Sequence, residues 1–170
     1  MQEEIEEILA SHGYEHYETS AFAKPSLHHK NSQARHNQNY WQFGDYLGIG
    51  AGAHSKLSYH DKITREMRHK HPNRYLEAAQ TAQPEQNCYI DNAYNIPQAE
   101  LGFEFMMNTL RLIDGFEVSL FQARTGLSIE VIAKPLKQAR DKGLLEITAT
   151  KIKPTLLGQR FLNELLQLFL

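Results

Sequence analysis

From Pro97 onward, apolar residues recur at intervals of three and four, and glycines cut the run into pieces of helical length. This rhythm constrains the fold more than any other feature of the chain. Pro97 to Ile113 reads as a helix with Leu101, Phe105, Met106, Leu110 and Ile113 facing inward, broken by Gly115. Val118 to Thr125 reads as a short helix ended by Gly126. Ser128 is placed to cap a helix running to Lys142, with Ile129, Ile132, Leu136 and Ala139 on one face. Pro135 inside that segment predicts a kink, and Gly143 ends it. Leu144 to Thr148 and Lys151 to Lys153 read as two short strands. Thr155 then caps a closing helix whose inward side is Leu156, Leu157, Phe161, Leu162, Leu165, Leu166 and Phe169. Three helices, a small hairpin and a closing helix predict a winged-helix-like domain over residues 98–170.

The chain before Pro97 has a different texture. Glu3 to Ser11 reads as a helix with Ile5, Ile8 and Leu9 at helical spacing, acids in its first turn and Gly13 at its end. Tyr14 to Phe22, rich in Tyr, Thr and Phe, reads as a strand ended by Lys24-Pro25. Residues 25–37 are polar and rich in histidine, which predicts a loop, and Asn39 to Phe43 predicts a helical turn. Tyr46 to Gly50 reads as a short buried strand, followed by the small-residue loop Ala51-Gly52-Ala53-His54. Ile63 to Arg68 reads as a strand, and Pro72 to Gln80 as a helix with proline in its first turn. Residues 81–97 are polar and aperiodic, which places a linker at 83–97 between a first domain, 1–82, and the second. The fold class expected is α+β.

Bulk properties exclude several classes of function. The net charge of −2 argues against a dedicated nucleic-acid binder. No apolar run approaches the roughly 20 residues that cross a bilayer, so no transmembrane segment is expected. The acidic start is the reverse of a signal peptide, and the single cysteine, Cys88, rules out an internal disulfide. A cytoplasmic location follows as an expectation. One thiolate cannot hold an iron–sulfur cluster, which takes three or four protein ligands.

Three segments, in this order and spacing, carry a resemblance. They are Ser20-Ala21-Phe22-Ala23-Lys24-Pro25, His36-Asn37-Gln38-Asn39-Tyr40-Trp41, and Asp45 to Ser55 with its Gly48-Ile49-Gly50-Ala51-Gly52 core. They resemble the region after the barrel centre in oxygen-independent coproporphyrinogen-oxidase-like radical SAM proteins. The Arg68-His69-Lys70-His71-Pro72 run and Thr155-Leu156-Leu157-Gly158 are similar to later parts of the same family. H-N-x-x-Y-W resembles the haem chaperone (HemW) branch rather than the decarboxylating oxidases. The resemblance spans essentially the whole chain but only about the second half of a typical family member. The family's C-x-x-x-C-x-x-C cluster motif is missing, and Ser26 stands where the family often has glycine.

The resemblance implies that residues 1–82 end a partial (β/α) barrel. It also implies that His36, Asn37, Tyr40 and Trp41 serve haem binding. An imidazole can ligate haem iron axially, and the two aromatic rings suit a porphyrin face or edge. From the residues alone, His36 and Asn37 could instead cap the turn before a packed Tyr40-Trp41. Arg35 and Lys24 suit propionates or plain solvation, and His28 and His29 point to opposite sides of an extended loop. Gly50, Gly52 and His54 fall near the S-adenosylmethionine site of a family member, although a lone G-x-G-x-G can equally let a strand approach. Asp45 and Tyr46 have no second polar group assigned by the sequence.

The function this implies is haem binding and transfer to a client protein. S-adenosylmethionine and a 4Fe-4S cluster would belong only to a full-length protein. Porphyrin oxidation by such a protein is the nearest alternative. A winged-helix DNA-binding role is the other, resting on Lys134, Lys137, Arg140, Lys142, Lys151 and Lys153; Glu130, Asp141 and Glu146 interrupt that patch, and DNA is not expected as a partner. Unpaired barrel edges would favour a homo-oligomer.

Overall fold

The structure, a computed structural model, describes residues 2–25, 32–81 and 88–170. In chain order the elements are α1 (Gln2–Ser11), β1 (Glu15–Glu18), β2 (Ala21–Ala23), α2 (Arg35–Trp41), β3 (His54–Ser58), β4 (Ile63–Arg68), α3 (Pro72–Thr81), β5 (Ile90–Asn95), α4 (Leu101–Thr109), β6 (Phe116–Glu117), α5 (Val118–Thr125), α6 (Ala133–Asp141), β7 (Leu145–Ile147), β8 (Lys151–Pro154), α7 (Leu156–Arg160) and α8 (Leu162–Gln167). Short 3-10 helices precede α4 at Gln98–Glu100 and α6 at Ile129–Ile132. The chain is thus mixed helix and sheet. It divides into two compact units, one formed by Met1–Phe43 with Ala99–Leu170 and the other by Gly44–Gln98.

The core of the first unit is centred on α4. Leu101, Phe105, Met106 and Leu110 are buried, as their spacing predicts. Phe105 meets Phe43, Phe116 and Phe121 edge-on, at centroid separations of 5.7, 5.0 and 5.0 Å. Phe43 holds φ 55°, a left-handed conformation unfavourable for a bulky residue, and is only 1% exposed. Burial of its ring offsets that backbone cost. Strands β6, β8 and β7 lie in that spatial order, all antiparallel. Gly115 is required where β8 crosses: its φ is 67°, and a Cβ there would fall 2.0 Å from the Ile152 carbonyl oxygen.

Several local expectations are revised. The helix expected from Ser128 to Lys142 is a 3-10 turn followed by a separate α6. Ser128 does cap it, accepting from the Glu130 N–H. Pro135 therefore falls in the first turn of α6, where a missing N–H breaks no helix bond, and not in the middle of a longer helix. The closing helix is interrupted at Phe161 (φ −113°, ψ 43°) into α7 and α8. Its Thr155 cap is present, with Oγ accepting from the Gly158 N–H at 3.0 Å. Leu165 and Phe169 are buried, whereas Leu156, Leu157 and Phe161 are exposed.

Tyr14 to Phe22 is a hairpin rather than one strand, with β1 and β2 antiparallel. Thr19 N–H donates to the Arg111 carbonyl at 2.9 Å, and Glu18 bridges to Leu112, which ties the hairpin to the end of α4. Helix α1 forms where expected, but Ile5 and Ile8 are 50% and 59% exposed, so its apolar stripe is not a core face in this chain.

The second unit is an antiparallel sheet, β3-β4-β5, with α3. The polar stretch at 83–97 supplies β5, which pairs along β4 from Thr64 to Arg68. The strand expected at Tyr46–Gly50 reduces to a single bridge from Tyr46 to Lys56. No helix among the described residues is long and apolar enough to cross a membrane.

Candidate functional site

Helix α2 carries the His36-Asn37-x-x-Tyr40-Trp41 segment in the first unit. At 100° per residue, positions 36, 37, 40 and 41 share one side of the helix, with Arg35, Gln38 and Asn39 on the other. The helix N-cap is Ala34, and among the described residues no side-chain cap hydrogen bond is made there. His36 is exposed and its ring has no hydrogen-bond partner among the described residues, while Asn37, Tyr40 and Trp41 are half-buried. Tyr40 and Trp41 meet edge-to-face, 4.9 Å between centroids at 89°. The Arg111 guanidinium lies over the Trp41 ring, 5.0 Å from its centroid. Trp41 Nε1 is buried and has no acceptor among the described residues. An exposed imidazole beside two large aromatic rings and two unfilled donors can receive a flat, metal-bearing, partly anionic ligand.

Gly50, Gly52 and His54 belong to the second unit. Gly50 and Gly52 both take positive φ, 106° and 73°. Gly50 N–H donates to the Tyr75 hydroxyl at 3.2 Å, and Gly52 N–H to the His69 carbonyl at 2.9 Å. His54 is exposed at the start of β3. The close approach in this loop is made by a strand: a Cβ on Gly48 would lie 2.1 Å from the His54 carbonyl oxygen. Arg68 holds the turn, with Nε donating to the Gly48 carbonyl at 3.1 Å and a terminal nitrogen to Ser55 Oγ at 3.3 Å.

Two polar arrangements in the second unit escaped the sequence. Lys56 is buried and donates to Asp45 Oδ1 at 3.0 Å and Ser58 Oγ at 3.1 Å. Asp45 also accepts from the Ser58 N–H and hydroxyl. Burial alone would raise the Asp45 pKa; the Ser58 and Lys56 hydrogen bonds and the lysine charge outweigh it and hold it below the ordinary carboxylate value. His69 is buried with Nδ1 2.9 Å from Asp91 Oδ1 and Nε2 3.0 Å from the Cys88 carbonyl oxygen. Only a basic residue next to an acid eleven positions away could have signalled the first arrangement, and that signal is common in any soluble chain.

Lys24 is exposed and sits over the Tyr14 ring at 5.7 Å, and Arg35 is exposed on α2. His28 and His29 lie outside the described residues. Cys88 is half-buried, and among the described residues no group of three His, Cys, Asp or Glu side chains could hold a metal ion. The lone thiolate does not fit a 4Fe-4S cluster.

Residues 96–161 match the profile of the HemN C-terminal domain. The heme chaperone HemW of Escherichia coli (strain K12) is 38% identical over 169 residues, which are 99% of this chain and 41% of that protein. The heme chaperone HemW of Haemophilus influenzae is also 38% identical, over 99% of this chain and 40% of its own length. This chain therefore spans about two-fifths of the curated relatives it matches. Among solved structures, coproporphyrinogen III oxidase (HemN) from Escherichia coli, a radical SAM enzyme, aligns over 99% of this chain and 39% of its own. The TM-score is 0.65 at 16% identity, a likeness of fold.

Proposed function

We propose that this chain, which carries a HemN C-terminal domain and is similar along nearly its whole length to heme chaperones named HemW, binds haem and hands it to a client protein as part of a longer protein of that kind. The observation that carries the reading is the grouping of His36, Asn37, Tyr40 and Trp41 on one side of α2. In this reading His36 ligates the haem iron through a neutral imidazole nitrogen. Tyr40 and Trp41 lie against the porphyrin, and Asn37 hydrogen-bonds the ring or its substituents.

The element order α4, β6, α5, α6, β7, β8 supports reading residues 98–170 as winged-helix-like. Its role would be to cover the haem site or dock the client. The exposed Ile5 and Ile8 support reading the first part of the chain as the end of a barrel begun elsewhere in the longer protein. Gly50, Gly52 and His54 would then lie near S-adenosylmethionine, with open space where a Gly50 Cβ would stand. The cluster chemistry of that protein would rest on cysteines outside this chain. A cytoplasmic location is part of the same reading.

The test is a haem titration of the full chain followed at the Soret band. His36→Ala should shift the band and weaken binding more than a His28→Ala, His29→Ala double substitution. Loss of the spectrum in the double variant alone would assign ligation to the loop histidines and leave the α2 segment structural.

A further inference from the structure

The donors around Trp41 are arranged for an anion that the described residues do not supply. Arg111 follows α4, and its backbone is fixed on both sides. Its N–H donates to the Asn108 carbonyl at 3.2 Å, and its own carbonyl accepts from Thr19 N–H at 2.9 Å and Thr19 Oγ at 3.2 Å. The side chain is half-buried and its guanidinium covers Trp41. No carboxylate pairs with it and no acceptor meets its N–H groups among the described residues. Trp41 Nε1, buried on the same contact, is likewise unfilled.

Removing a guanidinium from water without pairing it is unfavourable, and a ring face offsets only part of that cost. Buried indole N–H groups ordinarily find a partner. Two such groups on touching residues, one of them within the α2 segment, point to a carboxylate that arrives with the ligand. A guanidinium over a ring face keeps its in-plane fork of donors for bidentate capture of that carboxylate. Lys24 and Arg35, the cations nearer in sequence, are exposed and need no such partner.

We propose that Arg111, with Trp41 Nε1 beside it, anchors a carboxylate of the bound porphyrin and makes the site selective for porphyrins whose propionates are unesterified. The inference rests on the reading of α2 as the haem site.

The experiment uses the full chain with two probes, haemin and haemin dimethyl ester. Wild type should bind haemin more tightly than the diester. Arg111→Gln should weaken haemin by about tenfold or more, the usual worth of a charge-assisted hydrogen bond, and leave the diester unchanged. Trp41→Phe, which keeps a ring but loses the N–H, should act in the same direction, and Arg111→Lys should retain part of the selectivity. Equal weakening of both probes would mean that Arg111 only props Trp41, and unchanged haemin affinity would also overturn the proposal. If Arg111→Gln does not fold, the Trp41→Phe and Arg111→Lys arms decide by the same criterion. His36-dependent haemin binding that is indifferent to Arg111 sinks this proposal alone. Wild type that binds neither probe sinks the reading of α2 and this proposal together.

Discussion

The ammonium of Lys56 lies 3.0 Å from Asp45 Oδ1, with 2% of the lysine side chain exposed against 44% of the aspartate. The pair is lopsided. The cation is held away from water against the anion, whereas the anion still touches water. Asp45→Asn should therefore destabilise the Gly44–Gln98 unit by about 2 kcal/mol, below the roughly 3–5 kcal/mol seen when both partners are buried. The effect should depend on pH. The folded-state pKa of Asp45 is lowered, so its contribution is present above the ordinary value of about 4 and fades as pH falls through the folded value. Urea midpoints of wild type and Asp45→Asn should draw together as pH falls from about 4 through the lowered folded value. A gap that does not narrow with acid would remove the ion pair as its cause.

Gly48 and Gly50 make a matched comparison. Alanine at Gly48 would drive its Cβ into the His54 backbone at 2.1 Å, which a side-chain rotation cannot relieve. Alanine at Gly50 meets nothing within 4 Å but must hold φ 106°. Gly50→Ala should cost about 1–3 kcal/mol of backbone strain, and Gly48→Ala clearly more. Thermal melts of the two variants give the order directly, and equal melting temperatures would show that the loop rearranges.

Leu165 is fully buried on α8, whereas Leu162, one turn earlier, is half-buried. Leu165→Asp should unfold or destabilise the first unit by more than about 4 kcal/mol, and Leu162→Asp by less, because its carboxylate can reach water. Chemical denaturation checks the ranking. If Leu162→Asp proved the worse, the inward face of α8 would have to be reassigned.

Anaerobic reconstitution of this chain with iron and sulfide should give no stoichiometric brown chromophore and no cleavage of S-adenosylmethionine. The reason is the single thiolate of Cys88. Iron and sulfide analysis, with product detection by mass spectrometry, is the measurement. A cluster formed in the isolated chain would require bridging between copies.

What was legible in the sequence was local. The α4 core positions, the Ser128 and Thr155 caps, and the helix ends at Gly126 and Gly143 (φ 73° and 70°) each depend on residues within a few positions of one another. Strand β5 was not legible, because every side chain from Asp91 to Asn95 is exposed and no alternation marks it. It exists because β4 offers an edge. Ile5 and Ile8 misled in the opposite direction: their spacing announces a buried face, and both side chains are exposed. The candidate site divides in the same way. Its α2 segment is contiguous and could be read as one. Arg111 looks like any solvated arginine until α4 packs beside α2, and Lys56 looks solvated until Asp45 is folded against it.

One residue, Gln42, separates Trp41 from Phe43, and Phe43 is locked edge-on against Phe105. Helix α2 is therefore tied to the α4 core within two residues of its end. In the proposed reading, grip and handle are joined at that contact: a protein that pulled on α4 would move the imidazole of His36 with it. On the proposed haem reading, release of a bound flat ring would follow from tugging on the domain behind it, with no need for a competitor to reach the metal first.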